Sequence, residues 1–272
     1  AHIRGHADDY YLSLVGELFD RMRHDFEDGP GWARIGNALA QLAADGQEET
    51  IRRMGISKSE TILFAAAAFY CGGFPASAYL TIRGQMPDDS DSESYRACFD
   101  LIARPGSMKS LTGSALLSAL RNGDMGTLAA LRTAASFQAK AALAMGPDEW
   151  ISARLFERLI SRFHLTNIRA VLPEGSSNFW NPFVESMLDR KPPSWEFFPS
   201  QIEAIERGLL QRPDTFALQM PTGAGKTALC ETLLYRHAKR TESAVAILLV
   251  PYRSLASELR ASVVKRLNAM NI

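Results

Sequence analysis

The chain has 272 residues, enough for about two domains, and its 46% apolar and 22% charged composition is that of a folded globular protein, which excludes a disordered one. The longest apolar run, Ile62 to Cys71, closes on Gly72, Gly73 and Pro75 at about half the roughly twenty residues of a membrane span, so no transmembrane segment is expected. Basic and acidic residues balance at 30 each but unevenly: residues 201–272 hold ten against six, and residues 1–200 hold twenty against twenty-four. A phosphate-binding face is therefore expected in the C-terminal part, whereas a generally basic surface that coats nucleic acid is excluded from the rest.

The opening "AHIRGHADD" has no apolar core of a secretory signal, and its start at Ala1 suggests a piece of a longer chain. Cys71, Cys98 and Cys230 lie far apart, without a CxxC pair or neighbouring histidines. That spacing argues for single buried thiols in a reducing cytoplasm rather than a disulfide framework or a zinc site.

The first two-thirds read as helices. Tyr11, Leu12, Leu14, Val15, Leu18, Phe19, Met22 and Phe26 form a helical stripe, with Asp8 and Asp9 placed where a helix dipole favours negative charge. Further helices are predicted over 32–42, 57–69, 76–83, 92–102, 114–120, 127–144, 148–163 and 181–188. Ser57-Lys58-Ser59-Glu60 has capping-box spacing, and Gly146-Pro147-Asp148 stops one helix and starts the next. The Pro-, Gly- and Ser-rich stretches 172–183 and 190–200 mark a boundary, which divides the chain into a helical accessory domain, 1–194, and a second domain from 195.

From Gln201 the pattern changes: a helix over 201–210, a short strand over 215–219, a helix over 227–240, seven consecutive apolar residues at 244–250, and a helix over 254–268. That order predicts the start of an α/β domain with a truncated parallel sheet after a mainly α domain, because a strand as apolar as AVAILLV must be covered on both faces.

Between the two predicted strands stands Pro221-Thr222-Gly223-Ala224-Gly225-Lys226-Thr227. A strand, a Gly-rich turn and a helix in that order make a phosphate loop. The glycines let backbone amides turn inward around a phosphate, and the helix start adds its positive end. Lys226 would reach the β- and γ-phosphates, and the Thr227 hydroxyl would coordinate Mg²⁺ carried by the nucleotide. The strict pattern wants Gly, or often Ala, at position 220, where this chain has Met220. The plain alternative is a Gly-rich turn with an unrelated lysine.

The flanks resemble superfamily 2 helicases of the Ski2-like and DEAD-box-like branches. "FFPSQIEAIERGLL" is similar to their Q-motif region. The resemblance implies that Gln201 reads the adenine edge of ATP with its amide donor and acceptor, and that Phe197, or else Phe198 or Trp195, packs on the base. "VPYRSLASE", Val250 to Glu258, resembles motif Ia. It implies that Pro251, Arg253 and Ser254 hold a single-stranded DNA or RNA backbone without reading bases. The likeness covers 195–272 and makes ATP and Mg²⁺ the expected cofactors. The overall layout is also similar to that of bacterial defence-island helicases of the Hachiman type.

Helicases of this superfamily also use a downstream acidic DExH motif and a second RecA-like domain with arginine fingers. Neither is found in these 272 residues. Without them the chain is expected to bind ATP weakly and turn it over negligibly, as the N-terminal part of a helicase or translocase.

The helical region carries no catalytic signature. His2, His6, His24 and His164 lack metal-ligand spacing, and Asp88 to Glu93 reads as a solvated loop. A protein partner on this region is the expectation carried over from other motors. Two other functions compete with the helicase reading. In one, the phosphate loop drives a signalling or assembly NTPase; in the other, the helical region is an interaction module and the motor piece is inactive.

Overall fold

The computed structural model describes residues 2–24, 28–44, 55–103, 108–212, 215–220, 223–270 and 272. In chain order the described helices are α1 (His2–Arg23), α2 (Gly29–Ala44), α3 (Lys58–Cys71), α4 (Pro75–Ile82), α5 (Glu93–Ala103), α6 (Leu111–Asn122), α7 (Met125–Ala142), α8 (Pro147–Thr166) and α9 (Ile168–Val171). After a 3-10 turn at Asn178–Trp180 come α10 (Asn181–Leu188), α11 (Pro199–Glu206), α12 (Lys226–Arg240) and α13 (Arg253–Ala269). The chain forms two compact units, one of Ala1–Leu117 with Gly126–His164, the other of Ser118–Met125 with Leu165–Ile272.

The first unit is built around α3. Leu63, Phe64, the four alanines 65–68, Phe69 and Tyr70 are all buried, and a helix apolar on every side must lie inside a bundle. The expected capping box starts it: the Ser57 hydroxyl accepts from the Glu60 amide at 3.1 Å, and the Glu60 carboxylate accepts from the Ser57 amide at 2.7 Å. Helix α2 packs closely on it at Gly36, where a Cβ would stand 3.0 Å from the Phe69 ring and 3.1 Å from the Ala65 carbonyl. Arginines of α8 close the open ends of other helices. Arg154 and Arg158 each donate to the Met22 carbonyl at 2.8 Å, and Arg162 donates to the Cys71 carbonyl at 3.1 Å. A guanidinium at a carbonyl end satisfies orphan acceptors and opposes the helix dipole.

The histidine- and aspartate-rich opening departs from expectation in one respect. Helix α1 begins at His2, about two turns before Asp8 and Asp9, so these acids do not mark its start. Phe26, the last member of the expected stripe, lies outside the described residues. Burial pushes the Cys71 thiol up to about 12 and the Cys98 thiol well above its ordinary range, which fits structural, unreactive thiols, whereas Cys230 is exposed, against the expectation of a buried thiol.

The second unit is organised by Arg169. Its side chain is buried and donates to the carbonyls of Leu120 (2.7 Å), Arg121 (2.8 Å) and Gly175 (2.9 Å) and to the Asn181 side-chain oxygen (2.8 Å). Burial lowers its pKa, and no carboxylate is among these partners. The guanidinium therefore joins the end of α6, the 172–178 loop and the start of α10. Close by in sequence, residues 195–197 are tied to 166–168: Ile168 N–H donates to the Trp195 carbonyl at 2.9 Å, and Phe197 N–H donates to that of Thr166 at 3.0 Å. Trp195 and Phe197 are buried as a result.

The expected parallel sheet is absent. Among the described residues there is no strand, and the only β-type pairing is the isolated antiparallel bridge Asn167–Glu196. Residues 215–220 and 244–250 run without regular structure, and the predicted second strand exposes its side chains, Ile247 at 82% and Leu249 at 88%. Apolar runs form a parallel sheet only when paired and covered on both faces. Neither condition is met here, so the molecule is mainly helical. Helices α12 and α13 form where the 3.6-residue pattern predicts them.

Replacing Arg169 with methionine removes the shared donor of four acceptors, two of them in fully buried contacts, and is expected to cost about 3 kcal/mol or more, read as a fall in the urea midpoint. A loss under about 1 kcal/mol would show that the loop and helix ends do not depend on it.

Candidate functional site

Helix α12 carries the Gly-rich loop at its amino end. Gly223 and Gly225 have φ of 82° and 77°, values that L side chains rarely adopt. Gly225 is the N-cap of α12 and offers no side chain to the first amides, and no acidic residue stands in the first turn. Lys226 and Thr227 are exposed there, Ala224 is half-buried, and a Cβ at Gly223 would meet nothing within 4 Å. Pro221 and Thr222 lie outside the described residues.

Gln201 joins this loop to the segment ahead of it. It sits in the first turn of α11 at 4% exposure. Its Oε1 accepts from the Phe198 amide at 2.7 Å, and its Nε2 donates to the Gly225 carbonyl at 2.8 Å. Acceptor facing N–H and donor facing C=O fixes the amide's orientation. One acceptor lone pair and one N–H of the amide are left over. A Cβ on Gly225 would lie 2.2 Å from Nε2 and 3.6 Å from the Phe198 ring. Half-buried Phe198 is thus the aromatic beside the loop, while Phe197, at 1% exposure, anchors the chain inside the unit.

The other face of α12 is fastened by groups that motif reading passed over. Glu231 is fully buried and accepts from both Arg190 and Arg266, the first ahead of α11 and the second near the end of α13. One turn on, the Tyr235 hydroxyl donates to the Phe179 carbonyl, and the ring stacks on Trp180 at 5.5 Å between centroids and 27° between planes. The signal was present in the sequence: Glu231 and Tyr235 are four apart on the face that also carries Leu229 and Thr232. An acid on a buried face requires cationic partners.

Pro251, Arg253 and Ser254 sit exposed at the amino end of α13, preceded by exposed Tyr252. The described contact of α13 with α12 lies near the other end of α13, at Arg266. Among the described residues no group of three or more His, Cys, Asp or Glu could hold a metal ion.

Residues 198–272 match the DEAD/DEAH box helicase family. The chain is similar to the Hachiman protein HamB of Bacillus cereus, at 30% identity over 118 residues, which are 43% of this chain and 10% of that protein. It is also similar to the ATP-dependent DNA helicase Hel308 of Methanocaldococcus jannaschii, at 39% identity over 67 residues, which are 23% of this chain and 6% of that protein. The chain thus spans about a tenth or less of the length of these relatives. The likeness to HamB is longer than the segment 198–272, so it takes in part of the helical region as well. The resemblance to superfamily 2 helicases, and to the Hachiman type among them, is borne out by these matches.

Gly225→Ala is expected to destabilise the second unit, from the left-handed backbone and from the clash with Gln201. In a Gln201→Ala background the clash disappears, leaving only the backbone cost of about 1–2 kcal/mol. A double-mutant cycle of denaturation midpoints reads the difference; strict additivity would contradict the contact.

Proposed function

We propose that residues 195–272 bind the phosphates of ATP with Mg²⁺ and contact a nucleic-acid backbone, as part of an ATP-dependent helicase or translocase in which residues 1–194 form an accessory region. One observation carries the reading. Inside the segment matched to the helicase family, an uncapped helix start with left-handed Gly225 presents exposed Lys226 and Thr227, and the buried Gln201 amide holds the Gly225 carbonyl.

These residues fit a nucleotide polyphosphate. Exposed amides at a helix start attract anions, the absence of first-turn acids removes repulsion, and the open space at Gly223 leaves the backbone accessible. Thr222, Gly223, Ala224 and Gly225 would line the phosphates, Lys226 would neutralise their outer charge, and the Thr227 hydroxyl would complete the shell of a Mg²⁺ brought by the nucleotide. Bound Mg²⁺ supplies charge neutralisation between the phosphates. The unused lone pair and N–H of Gln201 make the donor and acceptor pair that an adenine edge requires, with half-buried Phe198 beside it; buried Phe197 is core and does not reach the base.

Arg253, with Ser254 and Pro251 at the exposed start of α13, would hold a DNA or RNA backbone by charge and helix-end amides, without reading bases. The 272 residues contain no DExH motif to orient water, so tight coupling to hydrolysis is not expected of this chain by itself. The similarity to the Hachiman protein HamB supports a setting in antiviral defence, and the reading places the chain in the cytoplasm. Among the described residues no helix is long and apolar enough to cross a membrane.

Fluorescent ATP titrated into the chain with Mg²⁺ is expected to bind weakly, and Lys226→Ala is expected to weaken that binding about tenfold or more, with no steady phosphate release from either protein. Equal binding by both, or steady turnover, would overturn the assignment.

A further inference from the structure

The first unit holds an open groove of about 280 Å³ lined by Arg23, Ala139, Lys140, Leu143, Trp150 and Arg154. Its floor is apolar: Trp150 packs on the buried alanines 139, 142 and 153 and meets Phe19 edge-on at 6.4 Å. Its rim is cationic. Arg154 is engaged by Glu157 and by the carbonyls of Met22 and Arg23. Arg23 lies over the Trp150 ring at 5.3 Å, Lys140 is exposed, and neither has a carboxylate partner among the described residues.

The surface beside the groove is as unusual as the groove. Phe137, Leu143 and Met145 stand 74%, 67% and 71% exposed within nine residues of the chain. Single exposed apolar residues need no explanation, but a cluster next to an apolar groove does.

We propose that this surface docks an acidic segment of a partner protein that carries an apolar anchor. The anchor would enter between Leu143 and Trp150, and carboxylates on either side would meet Lys140 and Arg23. Charge complementarity selects this occupant: the groove has cations and no acid in its lining, so an acidic segment gains ion pairs that a neutral or basic one does not. Nucleic acid fits less well. Two uncommitted cations are few for a phosphate backbone, and the neighbouring surface is carbon rather than polar. The groove is also smaller than pockets that enclose a drug-sized ligand, whereas one anchor side chain in a shallow pocket is a common hot spot. The proposal deepens the accessory role given to residues 1–194 and uses none of the nucleotide-site residues.

The test uses the full chain. A random twelve-residue peptide library displayed on phage is selected on the wild-type protein and counter-selected on a Lys140→Glu/Leu143→Asp variant, whose exposed positions should leave the thermal melt unchanged. The expected pool combines Asp or Glu with Leu, Phe or Trp. Its members should bind Lys140→Glu at least tenfold more weakly than wild type, and lysine-for-glutamate versions of them should regain affinity for that variant. Recovery of no wild-type-selective peptide, or of a basic pool, overturns the proposal. So does self-association of the wild type that Leu143→Asp abolishes, since the occupant would then be a second copy. Lys226→Ala is expected to leave peptide binding intact, so failure of the nucleotide reading and failure of this one are distinguishable.

Discussion

The carboxylate of Glu231 is the constraint on which the second unit depends. A charge with no exposure is tolerated only when paired and hydrogen-bonded, and its two partners come from opposite ends of the segment, Arg190 before α11 and Arg266 in α13. Helix α12 is thereby fixed on its inner side, with the Tyr235 and Trp180 stack one turn further along. Because the inner face is held, the amino end of the same helix can stay open, with no side-chain cap and with Lys226 and Thr227 exposed at the surface. The ion pairs of Glu231 with half-buried Arg190 and Arg266 fasten that inner face to the segments on either side of it.

Gln201 performs the matching task on the loop. Its amide spans the Phe198 N–H and the Gly225 carbonyl, so the segment ahead of α11 and the glycine that begins α12 are set by one side chain. Positive φ at Gly225 and the near-contact that a Cβ would make there are two expressions of the same close approach. Arg169 plays the comparable part for the loop at 172–178, where backbone carbonyls converge without any carboxylate.

Much of this was legible in the residues. The Ser57 capping box, the helices after Gly146-Pro147, the Gly-rich turn before α12 and the exposed start of α13 all follow from local chemistry, because caps, glycines and 3.6-residue patterns act within one or two turns. The buried partners of Glu231 and Arg169 were not legible, since they are set by chain segments far apart in sequence. The sheet misled for the opposite reason. AVAILLV has the composition of a covered strand, but composition states what a segment could bury and not whether a partner lies alongside; in this structure those side chains face outward. Phe197 and Phe198 divide the two tasks that a motif assigns to one aromatic: the first is core, and the second borders the loop.

Amide hydrogen exchange on the chain with and without Mg²⁺ and ATP tests the central claim most directly. The account predicts added protection confined to the loop and first turn of α12, residues 223–229, and to the 198–201 turn bonded to it, with the Glu231 region protected in both states. Protection elsewhere, or none at the start of α12 under saturating nucleotide, would contradict it.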